Sequence, residues 1–342
     1  MRALSIVLAA SLAACAYEPD GFPCATDGTC PAGWSCEPQT SRCLSAGGAD
    51  AGATPSGCAK DHGGCDPNAV CSDGAQGPSC QCKSGFSGDG LECLPTGCPP
   101  EAMPLPAGSF AFALSGQAAT VSALCLDTRE ATMAEYDLCV RALACAPLTG
   151  VIDCDQLGLS SAECGFQRTQ CKLGLLDAAD HPVNCVTRAE AEAFCGRLGK
   201  RLPSDAELEW AARAGRARRT YPWGEEAPSA NRLNACGTEC RDAAAGYGLS
   251  LSVLYPQDDG FPATAPSGSF YQDRNPYGHV DLAGNVSEWT STTADFAGEQ
   301  LTVVRGGNYL SGDVWQVSSA SREGRSPLVR SPTLGFRCAQ DL

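Results

Sequence analysis

Cysteine constrains this chain more than any other residue type. The 342 residues include 23 cysteines, a frequency typical of exported proteins in which disulfide bonds replace part of the apolar core. Setting Cys15 aside leaves an even number, which permits complete pairing. Free thiols and zinc ligation are less favoured alternatives. The sequence has three histidines and no H-E-x-x-H motif, and Cys236-x-x-x-Cys240 has no partner cluster with zinc spacing.

The first residues have the pattern of an export signal. Arg2 precedes an apolar run from Leu4 to Ala14, which is too short to span a bilayer. The sequence Leu12-Ala13-Ala14-Cys15 resembles the lipobox of a bacterial lipoprotein. This implies a signal peptide at 1–14, lipidation of Cys15 and attachment to a membrane through acyl chains. Ala16 resembles outer-membrane sorting, with a periplasmic or cell-surface location. An ordinary signal peptide that is cleaved elsewhere is the alternative.

Charge and motifs exclude several functional classes. The formal net charge is −15, which argues against a nucleic-acid partner because phosphate binding requires clustered Lys and Arg. The sequence contains neither the G-x-S-x-G motif of serine hydrolases nor a glycine loop followed by Lys and Ser or Thr. His279 lies near Asp281 and is a weak candidate for a catalytic base, since no nucleophile is positioned beside it.

Two segments follow the signal peptide. Besides Cys15, residues 15–44 contain four cysteines, from Cys24 to Cys43, among Gly, Pro, Thr and Ser. So few apolar residues cannot form a core without cross-links, which predicts a small disulfide-bonded module. Residues 45–57 are rich in Ala, Gly and Ser, the composition of a flexible linker.

The next module spans residues 58–93. Its cysteines follow the spacing Cys58-x6-Cys65-x5-Cys71-x8-Cys80-x-Cys82-x10-Cys93, with Gly85-Phe86 in the last loop. This pattern resembles an EGF-like module, and the resemblance implies the pairs Cys58–Cys71, Cys65–Cys80 and Cys82–Cys93. Calcium-binding modules of this type carry an acidic stretch before the first cysteine. Here the stretch is Thr54-Pro55-Ser56-Gly57, so we expect no calcium in this module. It serves as a spacer or as a partner-binding surface.

Residues 98–342 are long enough for one larger globular domain. Three capping boxes predict helix starts: Thr132-x-x-Glu135, Thr187-x-x-Glu190 and Ser204-x-x-Glu207. We expect the third helix to end at Gly215, a plausible C′ glycine. Short apolar segments, as at 104–114 and 301–305, alternate with Gly, Pro, Asn and Asp. The expected fold class is α+β, irregular and loop-rich, preceded by small disulfide-rich modules.

Seven short sequence blocks follow one another in a fixed order across this domain. They are His181-Pro182-Val183-Asn184, Gly199-Lys200-Arg201-Leu202-Pro203-Ser204-Asp205-Ala206-Glu207, Trp210-Ala211-Ala212-Arg213, Tyr221-Pro222-Trp223-Gly224, Gly284-Asn285-Val286-Ser287-Glu288-Trp289, Arg305-Gly306-Gly307 and Gly335-Phe336-Arg337-Cys338. The ordered set resembles the formylglycine-generating enzyme, or sulfatase-modifying factor, family. The resemblance implies a variant of the C-type lectin fold. Structurally, most of these residues are expected to form the scaffold, with Trp223 and Trp289 as core anchors and Arg201 and Arg337 in buried ion pairs or bound to backbone carbonyls.

The family's enzymes hold Cu(I) with two cysteines at C-x4-C spacing after the RGG turn, and oxygen then converts a sulfatase cysteine to formylglycine. The matching positions here are Ser311 and Gln316, and Asn308 replaces a serine that assists oxygen handling. No cysteine occurs between Cys240 and Cys338. Copper is therefore not expected, because Cu(I) is soft and requires sulfur ligands.

The resemblance to the family implies one disulfide and two calcium sites in this chain. It implies a bridge from Cys195 to Cys338; the pairs Cys139–Cys145 and Cys236–Cys240 rest on short spacing alone. Structural calcium is expected because its preferred ligands are oxygens. One implied site comprises the side chains of Asp281 and Glu288 and the carbonyls of Gly284 and Val286. The other comprises the side chains of Asn234 and Asp259 and the carbonyls of Ala235 and Phe261. Asn231 is an alternative to Asn234, and turn capping or pairing with Arg is an alternative role for Asp281 and Glu288.

Two functional hypotheses follow from these residues. The first is a membrane-anchored, non-oxidising binding or scaffold protein of the cell envelope, whose partner is an unknown envelope protein, peptide or glycan. The alternative is an active oxidoreductase of the same family that acts on protein cysteine through a different site. A third possibility assigns binding to the EGF-like module and makes the large domain a platform.

Overall fold

In a computed structural model the chain divides into two compact units, Met1–Pro55 and Ser56–Leu342. The structure describes residues 57–342, apart from 75–76, 150, 153 and 173–177, and three short strands of the first unit. These strands are β1 (Phe22–Pro23), β2 (Trp34–Glu37) and β3 (Arg42–Ser45), which form an antiparallel sheet in the order β1-β3-β2. The predicted lipidation of Cys15, the side chains of the four-cysteine module and most of the linker lie outside the described residues.

Disulfides hold the first module of the second unit. It contains two antiparallel hairpins, β4 (Ala69–Gly74) with β5 (Gly77–Cys82) and β6 (Phe86–Gly88) with β7 (Cys93–Pro95). The bridges Cys58–Cys71, Cys65–Cys80 and Cys82–Cys93 are the three that the EGF-like spacing implies. The buried core of the module consists of only three residues, Cys65, Ala69 and Cys93. Cross-linking therefore replaces most of the apolar burial that a larger domain would use.

Capping boxes begin four of the five α-helices among the described residues. The helices are α1 (Met133–Arg141), α2 (Ser161–Arg168), α3 (Arg188–Arg197), α4 (Asp205–Ala212) and α5 (Thr238–Ala245). The three predicted boxes, at Thr132, Thr187 and Ser204, are present, and Ser160 with Glu163 forms a fourth that sequence reasoning missed. In the described part of the chain, no helix combines the length and apolarity needed to cross a membrane.

The prediction of Gly215 as the C′ residue of α4 is wrong by one residue. The last helical residue is Ala212, the C-cap is Arg213, and Ala214 takes the left-handed conformation with φ 54°. Gly215 instead begins a short 3₁₀ turn. An added Cβ at Gly215 would meet the Tyr277 hydroxyl at 2.3 Å. The glycine is thus needed for close packing as well as for its positive φ of 61°.

Short strands form the remaining framework. They are β8 (Ala102–Leu105), β9 (Gly108–Ala111), β10 (Ala118–Val121), β11 (Leu124–Asp127), β12 (Ser287–Phe296), β13 (Glu299–Arg305), β14 (Arg322–Arg325), β15 (Leu334–Gly335) and β16 (Ala339–Asp341). One sheet has the order β16-β11-β8, and a larger sheet has the order β14-β13-β12-β15. Strands β9 and β10 form a hairpin. The C-terminal strand β16 therefore returns to pair with β11 near the start of the domain.

The main core lies between α1, α3 and the larger sheet. Tyr136 stacks on Phe194 with ring centroids 5.7 Å apart, and Phe194 meets Phe336 edge to face with centroids 5.3 Å apart. Trp289 is fully buried and donates its indole N–H to the Val186 carbonyl at 2.9 Å. Trp223 is only partly buried and stacks on Tyr221. The expectation of a core position therefore suits Trp289 better than Trp223.

Disulfides also tie the large domain together. Cys195 in α3 is bonded to Cys338 beside β16, and the two are 143 residues apart in sequence. Cys139–Cys145 and Cys236–Cys240 are paired as their spacing suggests. The remaining described bridges are Cys98–Cys125, Cys154–Cys164 and Cys171–Cys185.

Removing the long bridge should cost more stability than removing a short one. Loop-closure entropy assigns about 5 kcal/mol to Cys195–Cys338 and about 2 kcal/mol to Cys139–Cys145. We expect Cys195→Ala/Cys338→Ala to lower the free energy of unfolding by at least twice as much as Cys139→Ala/Cys145→Ala, as measured by urea denaturation. All four cysteines are buried in the same core, so the short bridge is a matched control. Equal losses would contradict the entropic explanation.

A half-buried ion pair joins α3 to the loop before β15. Both guanidinium nitrogens of Arg330 donate to Glu190, each at 2.6 Å, while Glu190 also accepts the backbone N–H of Thr187 at 2.8 Å. Burial raises the pKa of Glu190, but these hydrogen bonds outweigh it and hold the pKa below its ordinary value. The carboxylate therefore closes the capping box and binds Arg330 at once.

The contribution of this ion pair should disappear in acid. A carboxylate with a lowered pKa stabilises the fold above its unfolded pKa of about 4.3, and the gain is lost as pH falls through the folded pKa. We expect Glu190→Gln to cost about 2 kcal/mol at pH 7. The difference from wild type should shrink below about pH 4. Glu192→Gln, which breaks the more exposed Arg188 pair, should cost less than about 0.5 kcal/mol. A pH-independent loss in Glu190→Gln would contradict the assignment.

Candidate functional site

The RGG turn after β13 closes over the segment 308–316. Arg305 is buried and pairs with Asp205 and Glu209 of α4. Gly307 has φ 69°, and a Cβ there would lie 2.4 Å from the Gln316 carbonyl and 2.9 Å from the Ser311 hydroxyl. Only glycine permits this approach. The turn therefore packs against both Ser311 and Gln316, the two positions that the sequence resemblance predicts to match the family's copper ligands.

The hydroxyl of Ser311 is occupied by a local turn. Ser311 is 2% exposed, and its Oγ accepts the backbone N–H of Asn308 at 3.0 Å. Its own N–H donates to the Asn308 carbonyl, and its carbonyl accepts the N–H of Cys236 at 3.0 Å. Ser311 therefore joins the segment to itself and to the Cys236–Cys240 loop.

Gln316 and Asn308 complete the same hydrogen-bonded segment. The Gln316 amide oxygen accepts the backbone N–H groups of Gly312 and Asp313 at 3.0 and 3.1 Å. Asn308 donates to the Ser287 hydroxyl at 3.0 Å and accepts the N–H of Leu310. These side chains offer neutral, hard oxygens that already have partners. The set does not fit Cu(I), which requires soft sulfur ligands.

Two exposed apolar side chains lie within this segment. The side chains of Val314 and Trp315 are 51% and 50% exposed. The backbone beneath them is fixed, because Asp313 accepts the N–H of Trp315 and the Trp315 carbonyl accepts the hydroxyl of Ser318. An exposed tryptophan on a rigid loop is well suited to contact a partner, since its large area is presented with little loss of conformational entropy.

A large cavity lies elsewhere in the domain. A volume of about 800 Å³ opens between α1, the end of α3 and the strands β8 and β11. Leu138, Phe194 and Leu198 form part of its wall. The ion pairs of Arg129 with Glu135 and of Lys200 with Asp127 also line it. Asn308, Ser311 and Gln316 do not line it. The segment 308–316 is therefore separate from this cavity.

The first predicted calcium site surrounds a buried guanidinium. Arg337 is 0% exposed and donates to both oxygens of Glu288 at 2.7–2.9 Å. It also donates to the carbonyls of Asp127, Thr128, Val280 and Asp281. This arrangement confirms the buried ion pair expected for Arg337. By contrast, the side chain of Arg201 is 36% exposed and pairs with Glu207 and Asp341.

Two further carboxyl groups, which the sequence did not single out, lie beside Asp281. Glu130 and Asp273 are fully buried. Burial, and then the negative charge of Asp281, raises the pKa of both groups well above the ordinary value. One oxygen of each, Glu130 Oε1 and Asp273 Oδ1, lacks a hydrogen-bond partner among the described residues. Glu130 and Asp281 thus fit a cation, whereas Glu288 is already committed to Arg337.

The second predicted calcium site is assembled by backbone turns. Asp259 accepts the Tyr255 hydroxyl at 2.6 Å and the N–H groups of Phe261 and Ala235 at 2.9 and 3.3 Å. Burial raises the pKa of Asp259 to about 6, and the nearby charge of Glu239 acts in the same direction. Three of the four residues that the family resemblance implies, Ala235, Asp259 and Phe261, are therefore brought together.

Asn234 carries a buried side-chain oxygen without a hydrogen-bond partner among the described residues. It is 1% exposed, and its Nδ2 donates to the Ala263 carbonyl and to Asn285 Oδ1 at 2.9 and 3.0 Å. Its Oδ1, on the opposite side of the amide, has no hydrogen-bond partner among the described residues. Asn231 is exposed, so Asn234 is the better placed of the two candidates. An orphaned buried amide oxygen fits a cation ligand.

His279 is a packed residue and not a base. It is 0% exposed, and neither ring nitrogen has a hydrogen-bond partner within the described structure. Burial, followed by the charge of Arg337, lowers the pKa of His279 to about 3. The ring is therefore neutral at physiological pH and has no route to a substrate.

Comparison with known proteins identifies the domain. The family model described as "Sulfatase-modifying factor enzyme 1-like domain" matches residues 94–342. The chain belongs to this family. An EGF domain model matches residues 58–93. The sulfatase-modifying factor domain has the C-type lectin-like fold, and this chain is an irregular, loop-rich α+β example of it.

Relatives with contrasting names are similar to this sulfatase-modifying factor domain. "Inactive C-alpha-formylglycine-generating enzyme 2" of Mus musculus is 34% identical over 172 residues, covering 48% of this chain and 51% of that protein. "Formylglycine-generating enzyme" of Bos taurus is 34% identical over 182 residues, covering 49% of this chain and 46% of that protein. The chain spans about half the length of the curated relatives it matches.

A solved structure shares the fold. PvdO from Pseudomonas aeruginosa aligns with a TM-score of 0.50 and 24% identity, covering 71% of this chain and 95% of PvdO. At this identity the likeness concerns the fold alone. Relatives named as an inactive protein and as an enzyme are thus about equally similar to the chain, so the comparison alone does not distinguish the two functional hypotheses.

Proposed function

We propose that this protein is a non-oxidising member of the sulfatase-modifying factor family that binds or organises a partner in the cell envelope. The observation that carries the proposal is the hydrogen bonding of Ser311 and Gln316. Both side chains stabilise turns of the segment 308–316 and offer no sulfur to a metal. The position that performs chemistry in the family's enzymes is here a structural part of a surface loop.

The partner should recognise the apolar surface of Val314 and Trp315. A rigid loop with an exposed tryptophan favours a protein or peptide that inserts an apolar side chain against the indole. A glycan that stacks on the same ring is the other class of partner. Lipidation at Cys15 would hold this surface near a membrane, with the EGF-like module as a spacer. An outer-membrane location on the periplasmic or cell-surface side completes this proposal.

Copper binding and cysteine oxidation test the proposal together. We expect the fully disulfide-bonded protein, incubated with Cu(I), oxygen and a peptide carrying the C-x-P-x-R motif, to bind no stoichiometric copper and to leave the peptide mass unchanged. Ser311→Cys/Gln316→Cys is the matched positive control. Its two thiolates should compete for Cu(I) with a chromophoric chelator. Stoichiometric copper in the wild-type protein, or a loss of peptide mass, would refute the non-oxidising function.

We also propose that calcium is a structural ion of the domain. Asn234 and Asp259, with the carbonyls of Ala235 and Phe261, would hold one ion. Asp281 and Glu130, with the carbonyls of Gly284 and Val286, would hold another. Glu288 would contribute to the second site only by sharing its oxygens with Arg337. The orphaned oxygens of Asn234 and Glu130 support this proposal. Bound calcium would neutralise buried negative charge and fix the loops around the core.

Calcium should raise the thermal stability of the protein. A ligand that binds only the folded state at 100 times its Kd adds about 2.7 kcal/mol, which corresponds to roughly 5 °C or more in Tm for a domain of this size. We expect this increase on adding millimolar Ca²⁺ after EGTA treatment, as measured by scanning calorimetry. Mg²⁺ at the same concentration is the control and should produce a smaller shift. Identical Tm values in EGTA and in Ca²⁺ would exclude a structural calcium ion.

A further inference from the structure

The helix α5 brings a carboxylate to Asp259 that the family resemblance does not predict. Glu239 lies inside the short loop that the Cys236–Cys240 disulfide closes. Its Oε2 accepts the backbone N–H of Asp259 and its Oε1 accepts the N–H of Gly237, at 3.3 and 3.2 Å. The bridge thereby fixes the start of α5 and holds Glu239 against the turn that carries Asp259.

Three carboxylates meet at this point. One oxygen each from Glu239, Asp258 and Asp259 lie within 4.8 Å of one another. Glu239 and Asp259 are half-buried and Asp258 is exposed. Among the ion pairs of the described residues, none includes any of the three. Three close negative charges without a Lys or Arg partner repel one another, and a divalent cation would relieve this repulsion.

A second observation at the same place also indicates a cation. The buried Oδ1 of Asn234 has no hydrogen-bond donor. The backbone N–H of the next residue, Ala235, donates to Asp259. Asn234 thus immediately precedes a residue whose backbone binds the carboxylate cluster, and the orientation of its amide is fixed by the two bonds of Nδ2 to Ala263 and Asn285. A polar atom this deeply buried normally has a partner.

We infer that Glu239 and Asp258 are additional ligands of the calcium ion at Asn234 and Asp259. The inference rests on the proposed structural role of calcium. The four groups already named, Asn234 Oδ1, Asp259 and the carbonyls of Ala235 and Phe261, are too few for calcium, which takes six to eight oxygens. With the two added carboxylates, the number of oxygen ligands reaches the lower limit of that range. They also increase the ligand charge, which strengthens calcium binding.

The Cys236–Cys240 loop therefore connects the calcium site to the partner surface. Cys236 donates its backbone N–H to the Ser311 carbonyl at 3.0 Å and accepts the N–H of Leu254 at 2.7 Å. The same loop carries Glu239 three residues later. An ion that binds Glu239 would thus stabilise the backbone on which the segment 308–316 rests.

Terbium luminescence provides a local probe of the proposed ligands. Tb³⁺ replaces Ca²⁺ at oxygen sites, and the Tyr255 ring, whose hydroxyl lies 2.6 Å from Asp259, should sensitise its emission. We expect wild-type protein to show Tb³⁺ emission that Ca²⁺ displaces. Glu239→Gln and Asp258→Asn should each weaken Ca²⁺ binding by about tenfold or more, because the affinity follows the ligand charge.

Control variants separate ligand loss from misfolding and from the other calcium site. Asp242→Asn is matched to Glu239→Gln, since Asp242 lies on α5 but bonds to Arg241 outside the cluster, and it should bind Ca²⁺ as wild type does. Tyr255→Phe should lose the sensitised emission while retaining a calcium-dependent increase in Tm. All variants should show the wild-type circular dichroism spectrum in EGTA.

The outcomes distinguish the two levels of the proposal. If wild-type protein shows neither Tb³⁺ emission nor a calcium-dependent Tm, the calcium proposal fails and this inference fails with it. If wild-type protein binds calcium but Glu239→Gln and Asp258→Asn bind it with unchanged affinity, only the assignment of the two additional ligands is overturned.

Discussion

The buried guanidinium of Arg337 is the interaction on which the rest of the domain depends. It binds Glu288 of β12 and four backbone carbonyls from two separate segments, 127–128 and 280–281. A buried charge of this kind costs several kcal/mol unless every donor is satisfied, so these segments cannot move independently. The neighbours of Arg337 extend the constraint, since Phe336 packs in the main core and Cys338 is bridged to α3. Three consecutive residues thus connect the apolar core through Phe336, the buried hydrogen bonds through Arg337 and the disulfide framework through Cys338.

Local chemistry made part of this fold predictable from the sequence. Capping boxes at Thr132, Thr187 and Ser204 specify helix starts within four residues, and cysteine spacing specifies the short bridges. The end of α4 was not predictable, because Ala214 takes a left-handed conformation that sequence reasoning reserves for glycine. The box at Ser160 carries the same S-x-x-E signal and was simply missed.

The candidate site was less predictable because it depends on long-range contacts. Glu130 precedes Asp281 by about 150 residues, and only the fold shows that both acids share one buried space. Likewise, the sequence shows that Ser311 and Gln316 are not thiols, but it cannot show that their oxygens are consumed by backbone turns. The role of Glu239 was not predictable from the sequence for the same reason. Its proximity to Asp259 is created by the start of α5 and the Cys236–Cys240 bridge.

Every cysteine among the described residues from 57 to 342 is bridged, through nine disulfides. The loop that carries Trp315 is in turn shaped by amide and hydroxyl groups, whose bonding does not change with redox conditions. The hydrogen bonds that shape this face therefore do not themselves depend on copper supply or on oxygen tension. Under the proposed function, a partner would meet a contour set by amides and hydroxyls, whereas a loop built on metal-bound thiolates would change shape with its metal.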